Sequence, residues 1–362
     1  MKANKLITAA LSVAVVTTAV NADVTLVVTG GNASKTVLFD RAAALLTGAT
    51  VLNGANSNTR SYLNGTIAGQ PGLGHVTIHF VQNGAAQGLL DLKNQAAVPS
   101  ASGALTAQLA VSGTFPETIG IDSSIFVAQR TLVVPFVFIK NGALANSLHG
   151  VTNLTQRQAA YLEAASGTLP TAFFGGESTS DPLYLIGRNT GAAVRQVIDA
   201  SIYFAGAPAF YTTNNASYAS FGPPYSTSPI GSVVLHPQGG HNSGAAVTND
   251  LVVIPNAIGT VSSQDAVGFT ALSYEGVPFS TANVINGSYP IWGYEAWYYK
   301  NSGTGQPSAN QLAVITALYN AVTDNTYQHT LGNPFATARF VPLADLEVER
   351  TADGGPITST IY

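Results

Sequence analysis

The sequence predicts an α/β protein with a largely parallel β-sheet, and three segments carry that expectation. Each is an apolar or β-branched run, then a glycine turn, then a stretch of helix formers. The first runs from residues 24–29 (VTLVVT) through Gly30-Gly31 into 34–46, where Val37, Leu38, Ala42 and Leu45 fall on one side of a helix. The second is 75–81 (HVTIHFV), a turn over 82–84 and a helix over 85–92. The third is a strand at 182–186, a glycine-containing turn over 187–191 and a helix over 192–204. In sheets built this way ligands gather beyond the carboxyl ends of the strands.

The remaining elements follow from local signals. Residues 133–139 (VVPFVFI) are the most apolar strand candidate after the first 22 residues, and their central position suits a strand that crosses between two lobes. Thr155 with Gln158 three residues on forms a capping box, so a helix is expected over 156–165, stopped by Ser166-Gly167. Residues 206–229 are rich in Pro, Gly, Ser, Asn and Tyr without a period and read as a long surface excursion, functional or inserted. No fixed period recurs, which argues against a solenoid or propeller.

Composition narrows the function classes. The 362 residues are 46% hydrophobic but only 9% charged, so the chain can bury a large core, and its surface must be covered by Asn, Ser, Thr and Gly. Fourteen basic against eighteen acidic residues give −4, with no basic cluster to meet a phosphate backbone, so nucleic acid is not an expected partner. Lys2 and Lys5 precede an apolar run over residues 6–20 that ends in Val20-Asn21-Ala22, the layout of a secretory signal peptide at 1–22. That run is short for a membrane span, which needs about 20 apolar residues. The processed protein is therefore expected to be exported, periplasmic or extracellular, and not membrane-spanning. The absence of cysteine removes disulfides, thiol nucleophiles, thiolate metal sites and a lipid-attachment cysteine.

Five stretches carry a resemblance to a known family: Val28-Thr29-Gly30-Gly31-Asn32-Ala33-Ser34, Asn83-Gly84-Ala85-Ala86-Gln87-Gly88, the strand Val134 to Asn141, the loop Gly187 to Arg195, and Ala266-Val267-Gly268-Phe269. In order and spacing the chain resembles the periplasmic-binding-protein type II domains, above all the phosphate-binding components of ABC uptake systems. The resemblance implies a two-lobed α/β fold with an interlobe cleft: a first lobe of residues 23–136 plus 270–362 and an inserted second lobe of 137–269. It also implies a small oxyanion in the cleft, held by backbone N–H groups at helix starts, hydroxyls, one arginine and an acceptor carboxylate, with an ABC permease as transport partner.

Carried onto this chain, the resemblance places ligand contacts at Asn32, Ala33, Ser34, Gly84, Ala85, Ala86, Ser112, Arg188, Ala192, Ala193 and Ser243. Helix N-termini offer unpaired donors and about half a positive charge, so an anion can be held with few lysines. The departures stand beside the matches. Where the family has Gly-Ser-Ser, this chain has Gly84-Ala85-Ala86; where it has Ser-Asp, this chain has Ser112-Gly113; after Arg188 the expected Ser-Gly-Thr is Ala192-Ala193-Val194. The side-chain hydroxyls at these positions and the acceptor carboxylate are missing. The alternatives for Arg188 are a ligand contact or a salt bridge at the surface or between lobes, and for Ser243 a ligand contact or a turn.

Other constellations carry less. His75 and His79 share a face of a strand but have no further ligands near them, so no metal site is expected. Gly239 to Gly244 lacks the spacing of a nucleophile elbow. Glu347 and Glu349 read as a solvated strand face, Arg195 as a helix residue with a smaller claim on the ligand, and the aromatic residues between Trp292 and Tyr299 as core rather than a sugar platform. The expected function is that of an exported, non-catalytic solute-binding-like protein with a diverged pocket and no cofactor. The alternative is a secreted structural or interaction protein that reuses the fold without a tight ligand.

Overall fold

The computed structural model describes residues 22–56, 59–70, 72–100, 102–142, 147–213, 233–236 and 239–360. Residues 1–21 of the expected signal peptide and residues 214–229 of the excursion lie outside them.

In chain order the elements that build the site are β1 (Ala22–Gly30), α1 (Lys35–Leu45), β2 (Thr59–Ile67), β3 (Leu73–Val81), α2 (Ala85–Asn94), β4 (Leu109–Ser112), β5 (Phe126–Lys140), α3 (Gln156–Ala165), β6 (Tyr184–Ile186), α4 (Ala193–Ser201), α5 (Gly244–Val253), β7 (Ala257–Ser262), β8 (Trp292–Lys300) and α6 (Ala309–Val322). The strands form one continuous sheet in the order β6-β7-β5-β8-β4-β1-β3-β2. All three strand–turn–helix units are present within a few residues of the expected bounds. The capping box at Thr155 and Gln158 is formed, and a second one, Ser308 with Gln311, starts α6.

The sheet is mixed rather than largely parallel. Parallel pairing is confined to β1 with β3 and β4 and to β6 with β7. β2 on β3, β8 on β4 and β5, and β7 on β5 are antiparallel. Strands β1 and β3 are parallel because a helix links them as a crossover, whereas an antiparallel pair needs none. β5 is the strand that spans the sheet. Its residues 126–135 pair with β8 and residues 136–140 with β7, so one 15-residue strand belongs to both halves. Residues 131–140 of β5 are buried throughout, which is why that segment reads as a continuous apolar run and not as an alternating one.

The core is continuous across both halves. Leu26, Ile78 and Phe80 pack under α1; Phe136 and Phe138 lie on the crossing strand; Trp292 and Trp297 on β8 are fully buried, as the core reading of that aromatic segment requires. His79 is buried and His75 exposed, and no group of three metal-ligating side chains occurs among the described residues. No helix among the described residues is long and apolar enough to cross a membrane.

Candidate functional site

Four helices start at one place. α1, α2, α4 and α5 point their amino termini at a cavity of about 90 Å³, walled by Asn32, Ala33 and Lys35 from α1, Gly84 and Ala85 from α2, Ala192, Ala193 and Val194 from α4, and Ser243, Gly244 and Ala245 from α5. None of the four has an acidic residue in its first turn, and α1, α2 and α4 lack a side-chain cap. Each helix start leaves amides without intrahelical acceptors and a partial positive charge, so four together make an enclosure suited to a negative guest. In α5 the Ser243 hydroxyl accepts from the Ala246 amide at 3.2 Å, which occupies its oxygen as a cap and leaves its proton to donate.

Arg188 brings a fixed positive charge to the wall. It is 5% exposed, and its Nε and Nη2 donate to the carbonyls of His241 and Asn242 at 3.3 and 3.1 Å, which holds the guanidinium against the loop that leads into α5. That loop is itself braced: His241 Nε2 lies 2.6 Å from the Asp250 carboxylate, which also accepts from Thr212 at 2.8 Å. Burial lowers the Arg188 pKa while nearby Asp265 opposes the shift. An arginine stays cationic under such a shift, so the charge is fixed but thinly hydrated. Arg188 lines the cavity, and it forms no salt bridge among the described residues. Arg195 pairs instead with Asp199 at 3.3 Å.

Eight of the eleven residues singled out from sequence stand on the cavity wall: Asn32, Ala33, Gly84, Ala85, Arg188, Ala192, Ala193 and Ser243. Ser34, Ala86 and Ser112 stand off it. Ser112 Oγ is turned into its own chain, donating to the Thr114 carbonyl at 3.0 Å and accepting from the Thr114 amide at 3.2 Å. Ser34 is buried and does not cap α1; its Oγ makes no hydrogen bond among the described residues. The amides of Gly84 and Ala86 are spent on Gly30 and Gly191, and that of Ala192 on Asn189. Ala85 and Ala193 are thus the backbone donors of those loops that can face a guest.

Two carboxyl groups that sequence reasoning missed also line the cavity. Asp265 follows the end of β7 and accepts from Ser262 Oγ at 3.0 Å; a Cβ at Gly244 would fall 1.9 Å from its Oδ2, so only glycine lets α5 start this close to it. Glu295 lies on β8, 1% exposed, and its Oε1 has no hydrogen-bond partner among the described residues. Its signal was a single acidic residue inside the aromatic strand WGYEAWYYK, where burial was already expected. Gly113 occupies the place where the resemblance implies a carboxylate. A Cβ there would come 3.0 Å from Ala193 Cβ, so the start of α4 has closed over the space that a side chain would use.

No family model matches the sequence, and no curated protein matches it. Solved structures do match. A candidate phosphate ABC transporter substrate-binding protein from Clostridium perfringens, solved with bound phosphate, aligns over 88% of this chain and 100% of its own with a TM-score of 0.53 at 13% identity. An ABC-type phosphate transport receptor from Vibrio cholerae aligns over 84% and 95% with a TM-score of 0.51 at 12% identity. A high affinity periplasmic phosphate-binding protein bound with phosphate aligns over 88% and 91% with a TM-score of 0.52 at 12% identity. At this identity the similarity is one of fold. The chain has the two-lobed α/β architecture of the phosphate-binding periplasmic proteins, with its helix-lined cavity between the two halves of the sheet.

Proposed function

We propose that this protein is an exported, non-catalytic solute-binding protein that holds a small, phosphate-like oxyanion between two lobes, residues 23–136 with 270–362 and residues 137–269. The observation that carries the reading is the convergence of four helix N-termini, none with an acidic first turn, on one cavity beside Arg188. The fold shared with phosphate-binding proteins supports it. The guest would be held by the amides of Ala85 and Ala193, the Ser243 hydroxyl and the charges of Arg188 and Lys35. An ABC permease is the partner this reading implies.

Binding is expected to be weaker than in a hydroxyl-lined site. Ala85, Ala193 and Val194 present methyl groups to the cavity, and each missing hydrogen bond to a charged ligand is worth about 1.5–3 kcal/mol. The same apolar wall favours the second reading, a secreted structural or interaction protein that reuses the fold without a tight ligand. A thermal-shift screen of the processed protein against phosphate, sulfate, arsenate and carboxylates separates them. Stabilisation by tetrahedral oxyanions at millimolar concentration supports the first, and an unmoved transition with every anion supports the second.

A further inference from the structure

The Glu295 carboxyl has no hydrogen-bond or ion-pair partner among the described residues. It pairs by backbone with Leu132 of β5, and its own carbonyl accepts from Thr131 Oγ1 at 2.9 Å, yet among the described residues neither carboxyl oxygen takes part in a hydrogen bond or ion pair. The carboxyl lies at the start of the first helix loop: a Cβ on Gly31 would stand 3.5 Å from Oε2. A buried polar group left unsatisfied in this way is costly to a folded protein, so a native orphan facing a cavity points to a guest.

The chemistry of the wall says what is missing. The helix ends, Arg188 and Lys35 offer donors, and a partly protonated oxyanion also needs an acceptor. A neutral carboxylic acid supplies both an O–H donor and a carbonyl acceptor. Burial pushes the Glu295 acid up to about 8, so it is mostly neutral at neutral pH. We propose that Glu295, in its neutral form, is a selectivity-determining ligand contact: it donates its O–H to one oxygen of the bound oxyanion and accepts from an O–H that the ligand carries. This rests on the oxyanion reading above.

A pH-dependent selectivity follows. While neutral, Glu295 admits a fully deprotonated tetrahedral anion such as sulfate; once ionised, it repels sulfate but can still accept from the hydroxyl of hydrogen phosphate. The other titratable groups on the wall are Lys35, Arg188 and Asp265. Of the elements packed on β8, β4 brings no titratable side chain. β5 brings Arg130, which lies over the Tyr294 ring, and Lys140, which donates to the carbonyls of Leu148 and His149. α2 brings Asp91, held by Asn83 and Gln87, and Lys93, while α4 brings the paired Arg195 and Asp199.

The test is calorimetric titration of sulfate and phosphate into wild type and Glu295→Gln at pH 7 and pH 9.5. Sulfate does not change charge over this range, so its pH dependence reports the protein. If only the neutral form accepts sulfate, wild type loses about thirtyfold in sulfate affinity across the interval, and Glu295→Gln stays flat within about twofold. Phosphate falls less than sulfate in wild type. Equal losses in both proteins, or a flat wild type, would overturn the proposal while leaving the oxyanion site intact. Failure of both anions to bind wild type at either pH overturns the oxyanion reading itself, and the proposal with it. A second readout needs no ligand affinity: a ¹³C-labelled glutamate carboxyl in wild type should titrate near pH 8 and move on addition of phosphate. A titration in the ordinary carboxylate range would contradict the assignment.

Discussion

The amide of Ala86 donates to the carbonyl of Gly191 at 3.1 Å, one backbone bond that joins the loop starting α2 to the turn before α4 across the cleft. Gly84 makes the approach feasible. It sits at φ +118°, and a Cβ there would fall 2.7 Å from the same Gly191 oxygen. Gly84→Ala should therefore destabilise the protein by more than about 1 kcal/mol, through backbone strain, and also loosen the two walls. Denaturant unfolding measures the first effect, and a weaker phosphate affinity measured in parallel reports the second.

Restoring a hydroxyl should restore affinity. Ala85 is the first residue of α2 and faces the cavity, so Ala85→Ser places a donor where the guest would sit. The expected gain in phosphate binding is about 1.5–3 kcal/mol, or tenfold and more, with little change in stability. Competition between phosphate and sulfate on the two proteins checks it.

Glu295 also makes a prediction about folding. Its folded-state acid lies near 8, above the ordinary carboxylate range, so between about pH 4.5 and 8 the folded protein binds a proton that the unfolded chain has released. Stability contributed by this group is therefore full below the lower value and lost as pH rises through the upper one, at up to about 1.4 kcal/mol per pH unit. Glu295→Gln removes that loss. The stability difference between variant and wild type should grow in the variant's favour from pH 5 to pH 8 and then level off, as measured by denaturant unfolding at each pH.

Processing is expected between Ala22 and Asp23, because Val20 and Ala22 are small residues at the positions a signal peptidase reads. Loss of two lysines would take the formal charge from −4 to −6. Intact mass of exported material decides it, and retention of Lys2 and Lys5 would contradict it.

Much of this architecture was legible because helix and strand periods are local properties. The three strand–turn–helix units, the Thr155 cap and the buried aromatic strand could each be read from a dozen residues. The antiparallel course of β5 and β8 could not, because strand direction depends on partners more than a hundred residues away, such as Trp292 beside Pro135. Glycine turns led to Asn32, Gly84, Ala192 and Arg188, which stand on the cavity wall, since helix starts lie directly after them. Asp265 and Glu295 escaped because neither belongs to a glycine turn that leads into one of the four helices. Ser112 and Ser34 were plausible by residue type, but whether a hydroxyl faces a cavity or its own backbone is settled by side-chain geometry that spacing does not encode.

Calorimetric titration of phosphate into the processed wild-type protein and Arg188→Ala tests the central claim most directly. The helix-lined cavity should bind phosphate no tighter than micromolar, about 8 kcal/mol, and Arg188→Ala should lose about 1.5–3 kcal/mol of that. No heat of binding with millimolar phosphate, or an affinity unchanged by Arg188→Ala, would contradict it.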